Sequence, residues 1–373
     1  MTGSLRLSDA ERASARQDFL DEIGWAGAQL EAFPGDASTR RYFRVRTGDR
    51  AAILMDAPAA SEAPLAPVGA DETERATLGY NALARLAGNN VTAFAGLSEA
   101  LVERGFSAPR ILAGDIEAGL LLIEDLGEAL FARELAAGRA HEGSLYAAAV
   151  DALAALYRCS FPERFEYAGD SWLVHAYDQA AKRAEAGLFV DWYAPERGGA
   201  KLDDAARSSF DAIWTGSLGA LDAHAPGLAL RDYHAENLIW LPDREPMARV
   251  GLLDFQDALF AHPAYDLVSL IEDARRDVSS ELAEPLKDRF FKAALLSDRA
   301  AFQAAYAVAG AQRNAKILGI FVRLAKRDGK SRYLQLLGRV ARHFVHNLAH
   351  PVNAPLRAWC EAYAPGVFDE AAS

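Results

Sequence analysis

The run Leu230-Arg231-Asp232-Tyr233-His234-Ala235-Glu236-Asn237, followed a short distance on by Leu253-Asp254-Phe255-Gln256-Asp257, constrains this chain more than any other feature. Between the two blocks, Leu238 to Leu241 and Arg249 to Leu253 are apolar, strand-forming stretches around Pro242-Asp243, so the whole reads as loop, hairpin, loop. That scaffold carries an Asp, an Asn five residues on and a second Asp beyond the hairpin. Phosphoryl transfer needs few protein groups: one carboxylate to take the acceptor's hydroxyl proton, and an amide oxygen with a second carboxylate to hold Mg²⁺ on the phosphates. Asp232 fits the first role, and Asn237 and Asp254 fit the second. The plain alternative is a polar surface turn beside a strand that ends in an ordinary Asp, and the order of the two blocks argues against it.

The blocks correspond in part to the loops H-R-D-L-x-x-x-N and D-F-G of protein kinases. Arg231-Asp232, Asn237 and Asp254-Phe255 keep the chemical groups, Leu230 stands where the His would be, and Gln256 replaces the Gly. Asp257 and Asp266 are expected to brace the catalytic loop, and His234 to shape it rather than act as base.

Upstream, Ser8 followed by Glu11 predicts a capped first helix within residues 1–24. Phe33 to Thr39 is a turn-rich loop. Tyr42 to Arg46 and Ala51 to Met55 are strands about a turn at Thr47 to Arg50, and a Pro/Ala-rich connector runs from Ala57 to Val68. Helices are expected over 71–87 and 91–104, and further strands near Arg110 to Leu112 and Leu120 to Ile123. Beyond Gly127 the pattern is almost all helical apart from the catalytic hairpin. This predicts an α+β, bilobal, protein-kinase-like fold: a small antiparallel-sheet N-lobe over residues 1–126 and a larger, mostly helical C-lobe over 127–373. The crossing at Ile123-Glu124-Asp125-Leu126 would offer backbone groups to an adenine edge, which makes Glu124 and Leu126 nucleotide-binding candidates.

A chain of 373 residues, 51% hydrophobic and 25% charged, can build two cores. Its formal charge of −12 argues against a nucleic-acid or anionic-membrane partner, since both require a positive field. No apolar run reaches membrane-spanning length, the polar start does not read as a signal peptide, and Cys159 and Cys360 lack metal spacing. A reduced cytoplasmic setting and a monomer are expected.

Kinase N-lobes supply a lysine to the phosphates, yet the first lysine here is Lys182, and Met55-Asp56 occupies the end of the second strand. A substitute is available in Gly35 to Arg41. Small residues there let backbone approach phosphate, Ser38 and Thr39 carry hydroxyls, and Arg40 or Arg41 can pair bidentately with phosphate oxygens. Otherwise the two arginines are a solvated pair on a strand edge.

With these residues together, the chain resembles the aminoglycoside phosphotransferase-like kinases, and within them the bacterial kinases of N-acetylmuramate and N-acetylglucosamine. The likeness spans residues 20–350. It rests on Gly35-Asp36-Ala37-Ser38 with Arg41-Tyr42-Phe43-Arg44, Leu54 to Pro58, Leu122 to Gly127, Asp191-Trp192-Tyr193, the two catalytic blocks, and Gln312-Arg313-Asn314 with Lys316 to Phe321. The resemblance implies ATP and Mg²⁺ as cofactors, a small sugar as acceptor, and phosphorylation at the anomeric hydroxyl in cell-wall sugar recycling. It also removes the force of the missing lysine, which such relatives lack. Asp191 and Trp192 become acceptor-pocket candidates, since rings stack on sugar faces and carboxylates bind hydroxyls. From Arg299 to Arg327 there is no Asp or Glu, and Arg313 and Lys316 share a helical face. That pair favours a neutral or anionic sugar over a polycationic aminoglycoside. A kinase for an aminoglycoside, choline or a homoserine-like metabolite, or a nucleotide-binding pseudokinase, are the alternatives.

Overall fold

The computed structural model describes residues 8–34, 39–58 and 64–373. They form two compact units, the first made of Met1–Leu130, Phe161–Val174 and Asn237–Ala258, the second of Phe131–Ser160, His175–Glu236 and Leu259–Ser373.

The first unit is built on a five-stranded antiparallel sheet, β1 (Gln29–Ala32), β2 (Arg41–Thr47), β3 (Arg50–Asp56), β4 (Ile111–Asp115) and β5 (Leu120–Ile123), in the order β1-β2-β3-β5-β4. The β2–β3 hairpin turns through Gly48, whose φ of +55° is one that L side chains adopt at a cost. β1 was not legible in the sequence. It is an edge strand of mostly exposed residues, created by pairing with β2, with only Leu30 contributing to the core. The helix Asp9–Glu22 starts as expected, with reciprocal Ser8 and Glu11 capping bonds. It contributes Phe19 and Leu20 to a core with Val45, Leu54 and Leu122. It also sends Arg12 and Arg16 to the buried carboxylate of Asp56.

The helix expected over 71–87 is two short ones, Glu72–Leu78 and Tyr80–Leu83, interrupted at Gly79 with φ +98°. Val91–Glu103 forms as predicted, capped by the Asn90 side chain, which accepts from the Ala93 N–H at 2.8 Å. The catalytic hairpin pairs Leu238–Trp240 with Val250–Leu252. Two short strand pairs stand out from the almost all-helical pattern expected of the later chain: Arg164–Tyr167 with Asp170–Leu173, and Gly227–Ala229 with Leu259–Ala261 in the second unit.

The second unit is organised around the helix Arg299–Asp328, buried along most of its middle. A Cβ at Gly319 would collide with the Leu188 backbone, so this glycine lets the helix Gln179–Leu188 pack almost backbone to backbone. Phe189 stacks on Tyr193 at 5.0 Å and on Phe210 at 6.1 Å, with Phe344 and Trp359 closing the aromatic core. Among the described residues no helix is long and apolar enough to cross a membrane.

Candidate active site

In the second unit, the loop around Asp232 is held from below. Arg231 adopts a left-handed backbone, φ +72°, a strained state for a non-glycine residue that persists only where surroundings enforce it. Enforcement comes from Asp266, in the first turn of the helix Ala264–Ile271, which accepts the N–H groups of Leu230 at 2.6 Å and Arg231 at 2.9 Å. Asp266 thus has the bracing role expected of it. Burial pushes its carboxyl up to about 7 against the pull of those two donors. The Tyr233 hydroxyl donates to the Ala149 carbonyl at 2.8 Å, and Leu230, at the His position of the kinase motif, is buried.

The Arg231 side chain donates to Glu185, a fully buried carboxylate on the helix Gln179–Leu188. Lys316 Nζ lies 3.3 Å from the same carboxylate and donates to the Tyr265 hydroxyl at 2.8 Å. Tyr177 donates to Glu185, and Gln312 Nε2 donates to the Tyr177 hydroxyl at 2.7 Å. Burial alone would raise the Glu185 carboxyl, but Arg231 and Lys316 outweigh it and hold it below its ordinary value. Glu185 was invisible to sequence reading: it sits alone in Lys182-Arg183-Ala184-Glu185, and nothing in that stretch announces two buried cations brought from elsewhere.

Asp232 inherits the consequence. Burial would raise its pKa, yet Lys316, His234, Arg313 and Arg231 together hold it below the usual carboxylate value, so it is ionised and able to accept a proton at neutral pH. His234 is pushed down by burial, against the pull of Asp273 and Asp232. Arg313, on the helix Arg299–Asp328, is only 4% exposed, and its Nε and Nη1 are buried without a hydrogen-bond partner.

In the first unit, Asp254 also has a left-handed backbone, φ +57°. It follows the hairpin strand Val250–Leu252 directly and is fixed by Phe255, which stacks on Phe94 of the helix Val91–Glu103 at 4.8 Å. Its carboxylate Oδ1 receives Arg40 Nη2 at 2.9 Å and Gln256 Nε2 at 3.1 Å. Asn237 opens the hairpin, its backbone carbonyl accepting the Leu253 N–H at 3.0 Å. Asp257 braces the turn that carries Asp254. It takes the Ala87 N–H at 2.6 Å and Gln256 Nε2 at 3.3 Å, tying the turn after Asp254 to the segment before the helix Val91–Glu103.

The remaining candidates separate. Ser38 lies outside the described residues. Thr39 Oγ1 donates to Asn89 at 3.1 Å. Arg40 and Arg41, equivalent in sequence, diverge: the Arg40 side chain is 10% exposed and faces Asp254, whereas Arg41 is 56% exposed and pairs with Asp9 at 2.9 Å. The Glu124 carboxylate is taken by Arg244 at 2.8 Å, so what this residue has left for a base edge is backbone. Leu126 is buried, and two residues earlier the Glu124 N–H is spent on the Arg110 carbonyl. Arg44, part of the Arg41-Tyr42-Phe43-Arg44 block, donates to Asp125 at 2.8 Å and to Glu128, anchoring that crossing to β2. Asp191 lies in a single π-helical turn, Phe189–Tyr193, exposed and paired with Arg207 at 2.9 Å, and Trp192 is half-buried beside it.

A model of the phosphotransferase enzyme family (APH) matches residues 29–305. The chain belongs to this phosphotransferase family. Among its relatives, the N-acetylmuramate/N-acetylglucosamine kinase of Caulobacter vibrioides is 44% identical over 95% of this chain and 98% of its own length. The protein of the same name from Pseudomonas aeruginosa is 32% identical over 86% of this chain and 84% of its own. Solved structures share the phosphotransferase fold at low identity. An ADP-bound aminoglycoside phosphotransferase APH(2'')-Ib superposes with a TM-score of 0.53 at 15% identity, covering 90% of this chain and 99% of that one. A microcompartment-associated aminopropanol kinase reaches 0.56 at 13%, covering 91% and 98%. The α+β kinase-like architecture expected from the sequence is therefore the architecture of this phosphotransferase.

Proposed function

We propose that this phosphotransferase is an ATP-dependent amino-sugar kinase that phosphorylates the anomeric hydroxyl of N-acetylmuramate and N-acetylglucosamine, in the recycling of cell-wall sugars. The observation that carries the chemistry is Asp232: a carboxylate kept ionised by four surrounding cationic or polar groups, on a loop strapped down by Asp266. The acceptor class is supported by the relatives' names and by the cationic character around Asp232, which suits a neutral or anionic sugar and opposes a polycation.

Asp232 takes the proton of the anomeric hydroxyl as its oxygen forms the bond to the γ-phosphorus. The bond from that phosphorus to the β,γ-bridging oxygen breaks, and the products are the sugar 1-phosphate and ADP. Asn237 and Asp254 offer the hard oxygen donors that Mg²⁺ requires, and Asp254 already accepts a cationic group, Arg40, so the residues fit the ion. Bound there, Mg²⁺ would neutralise phosphate charge. Arg40 is the phosphate cation in place of the absent lysine, with Ser38 and Thr39 beside it in sequence. Backbone groups of Glu124 and Leu126 serve the adenine edge, and Asp191 and Trp192 are held in reserve for sugar hydroxyls and ring faces.

The test is ADP release by the purified chain across N-acetylmuramate, N-acetylglucosamine, kanamycin, choline and homoserine, with NMR of the product to locate the phosphate. Turnover of the two amino sugars with phosphate at C1 is expected, and its loss in Asp232→Asn with ATP binding retained. Turnover confined to another acceptor, or full activity of Asp232→Asn, would remove the proposal.

A further inference from the structure

We infer that Asn89 is a positioning residue for the nucleotide phosphates: resting on the kinase reading above and deepening it, its side chain holds Thr39 so that Arg40 stays within reach of both Asp254 and a bound triphosphate.

Asn89 is 6% exposed, and its hydrogen bonds fix which way its amide points. Nδ2 donates to the Pro58 carbonyl at 2.9 Å, a group that only accepts, which leaves Oδ1 to accept from the Thr39 hydroxyl at 3.1 Å. Thr39 lies two residues before Arg41 and Pro58 two residues after Asp56, and Arg41 and Asp56 are paired at one end of the β2–β3 hairpin. One buried side chain therefore ties together both segments that leave that end. A hydroxyl has a single proton to give. Given to Asn89, it is withheld from a phosphate oxygen, so Thr39 serves as the anchor of its neighbour Arg40 rather than as a phosphate donor.

Asn89 is itself fixed to the turn that carries Asp254. Ala87, two residues earlier, gives its N–H to Asp257 at 2.6 Å. Asn90, next in the chain, caps the helix Val91–Glu103, whose Phe94 stacks on Phe255 at 4.8 Å. The approach to Asn89 is tightly bent, with Arg85 at φ +55° and Gly88 at φ +56°. For Arg85, a non-glycine residue, such a backbone persists only where surrounding contacts enforce it. The contacts close a ring: Thr39 to Asn89, Ala87 to Asp257, Gln256 to Asp257 and Asp254, and Asp254 back to Arg40. All of these residues belong to the first unit. Opening the ring between Arg40 and Asp254, as phosphate binding requires, leaves the Asn89 link to limit how far Arg40 travels. Holding a binding group in place before its ligand arrives reduces the ordering cost of binding.

Calorimetric titration of ATP into the full chain tests the link in wild type, Asn89→Ala, Thr39→Val and Thr39→Ser, each also combined with Arg40→Ala. A neutral hydrogen bond corresponds to about 2–10-fold in a binding constant. Asn89→Ala and Thr39→Val are each expected to raise the Kd for ATP by about that factor, while Thr39→Ser, which keeps the hydroxyl, stays close to wild type. The double variant Asn89→Ala/Thr39→Val should bind no more weakly than the weaker single one, because both remove the same contact. In the Arg40→Ala background none of these substitutions should weaken ATP further, since the group they position is gone; a merely structural loss would persist there. An unchanged Kd in Asn89→Ala, additive losses in the double variant or in Arg40→Ala, or Thr39→Ser as weak as Thr39→Val would overturn the inference. Should Asn89→Ala fail to fold, Thr39→Val against Thr39→Ser, with and without Arg40→Ala, decides by the same outcomes with Asn89 and its bond to Pro58 in place. Wild type that binds ATP but phosphorylates neither amino sugar would instead defeat the kinase reading above and leave these Kd ratios to be read as before, so the two failures are distinct.

Discussion

Arg40 Nη2 stands 2.9 Å from Asp254 Oδ1, a guanidinium on the carboxylate that the proposed mechanism assigns to a divalent cation. The two residues are 214 positions apart in sequence yet belong to the same compact unit, and Gln256 donates to the same oxygen. Before nucleotide binds, Arg40 balances Asp254. Under the proposed mechanism Mg²⁺ would be held by Asp254 in that place, and Arg40 would turn to the phosphates.

This exchange predicts opposite effects from one substitution. In Arg40→Ala, Mn²⁺ used as a probe should bind the nucleotide-free protein more tightly, because its competitor at Asp254 is gone. ATP should bind more weakly, by roughly 10-fold or more for a lost charge-assisted contact. Titration calorimetry for ATP and paramagnetic resonance for Mn²⁺ read the two separately. Weakening of both, or of neither, would contradict the exchange.

Glu185 compensates two buried cations, so Glu185→Ala leaves Arg231 and Lys316 without their anion. Breaking a buried pair by removing one partner typically costs about 3–5 kcal/mol. Urea unfolding followed by circular dichroism should show a loss of this order. A loss of only a few tenths, as for surface pairs, would mean that water or another group rescues the cations.

Lys316 is foremost among the groups that hold Asp232 below its ordinary value. In Lys316→Met the carboxyl therefore moves up, and the acid limb of the pH dependence of kcat/KM moves to higher pH with it. The basic limb serves as the internal control. An acid limb that stays in place would take Lys316 out of the field of the base.

His262 provides a pH test of stability. Its Nδ1 accepts the Ala264 N–H at 3.1 Å, which puts the proton on Nε2, facing His224 Nδ1 at 3.2 Å, and His224 Nε2 then donates to the Ser297 carbonyl at 2.7 Å. Burial, with His224 and Lys182 adding to it, pushes His262 down to about 3. Below the ordinary value of about 6.5 the unfolded chain takes up a proton that the folded chain refuses, so stability falls as pH drops from there towards 3. One such group contributes a slope of about 1.4 kcal/mol per pH unit at 25 °C. His262→Phe should flatten the unfolding free energy between pH 6 and 4 by that amount relative to wild type, measured by denaturant titration. An unchanged slope would place the acid sensitivity elsewhere.

The sequence alone determined whatever depends on neighbours along the chain. The Ser8/Glu11 capping box, the hairpin turn at Gly48, the helix from Val91 and the order Asp232, Asn237, hairpin, Asp254 are set by local hydrogen bonding, turn geometry and spacing, and all were legible. The edge strand Gln29–Ala32 was not, because its residues acquire strand structure only by pairing with β2. Nor could the sequence separate Arg40 from Arg41, or Arg313 from Lys316, since each pair has the same chemistry and the same local setting. Tertiary structure decided both. Asp254 pairs with Arg40, whose side chain is largely buried, while Arg41 stays at the surface. Glu185, 46 positions before Arg231, pairs with Lys316 and not with Arg313, because close packing at Gly319 brings its helix alongside. A charge's role depends on which opposite charge packing sets beside it in a water-poor interior, and that distance is not written in any local stretch of chain.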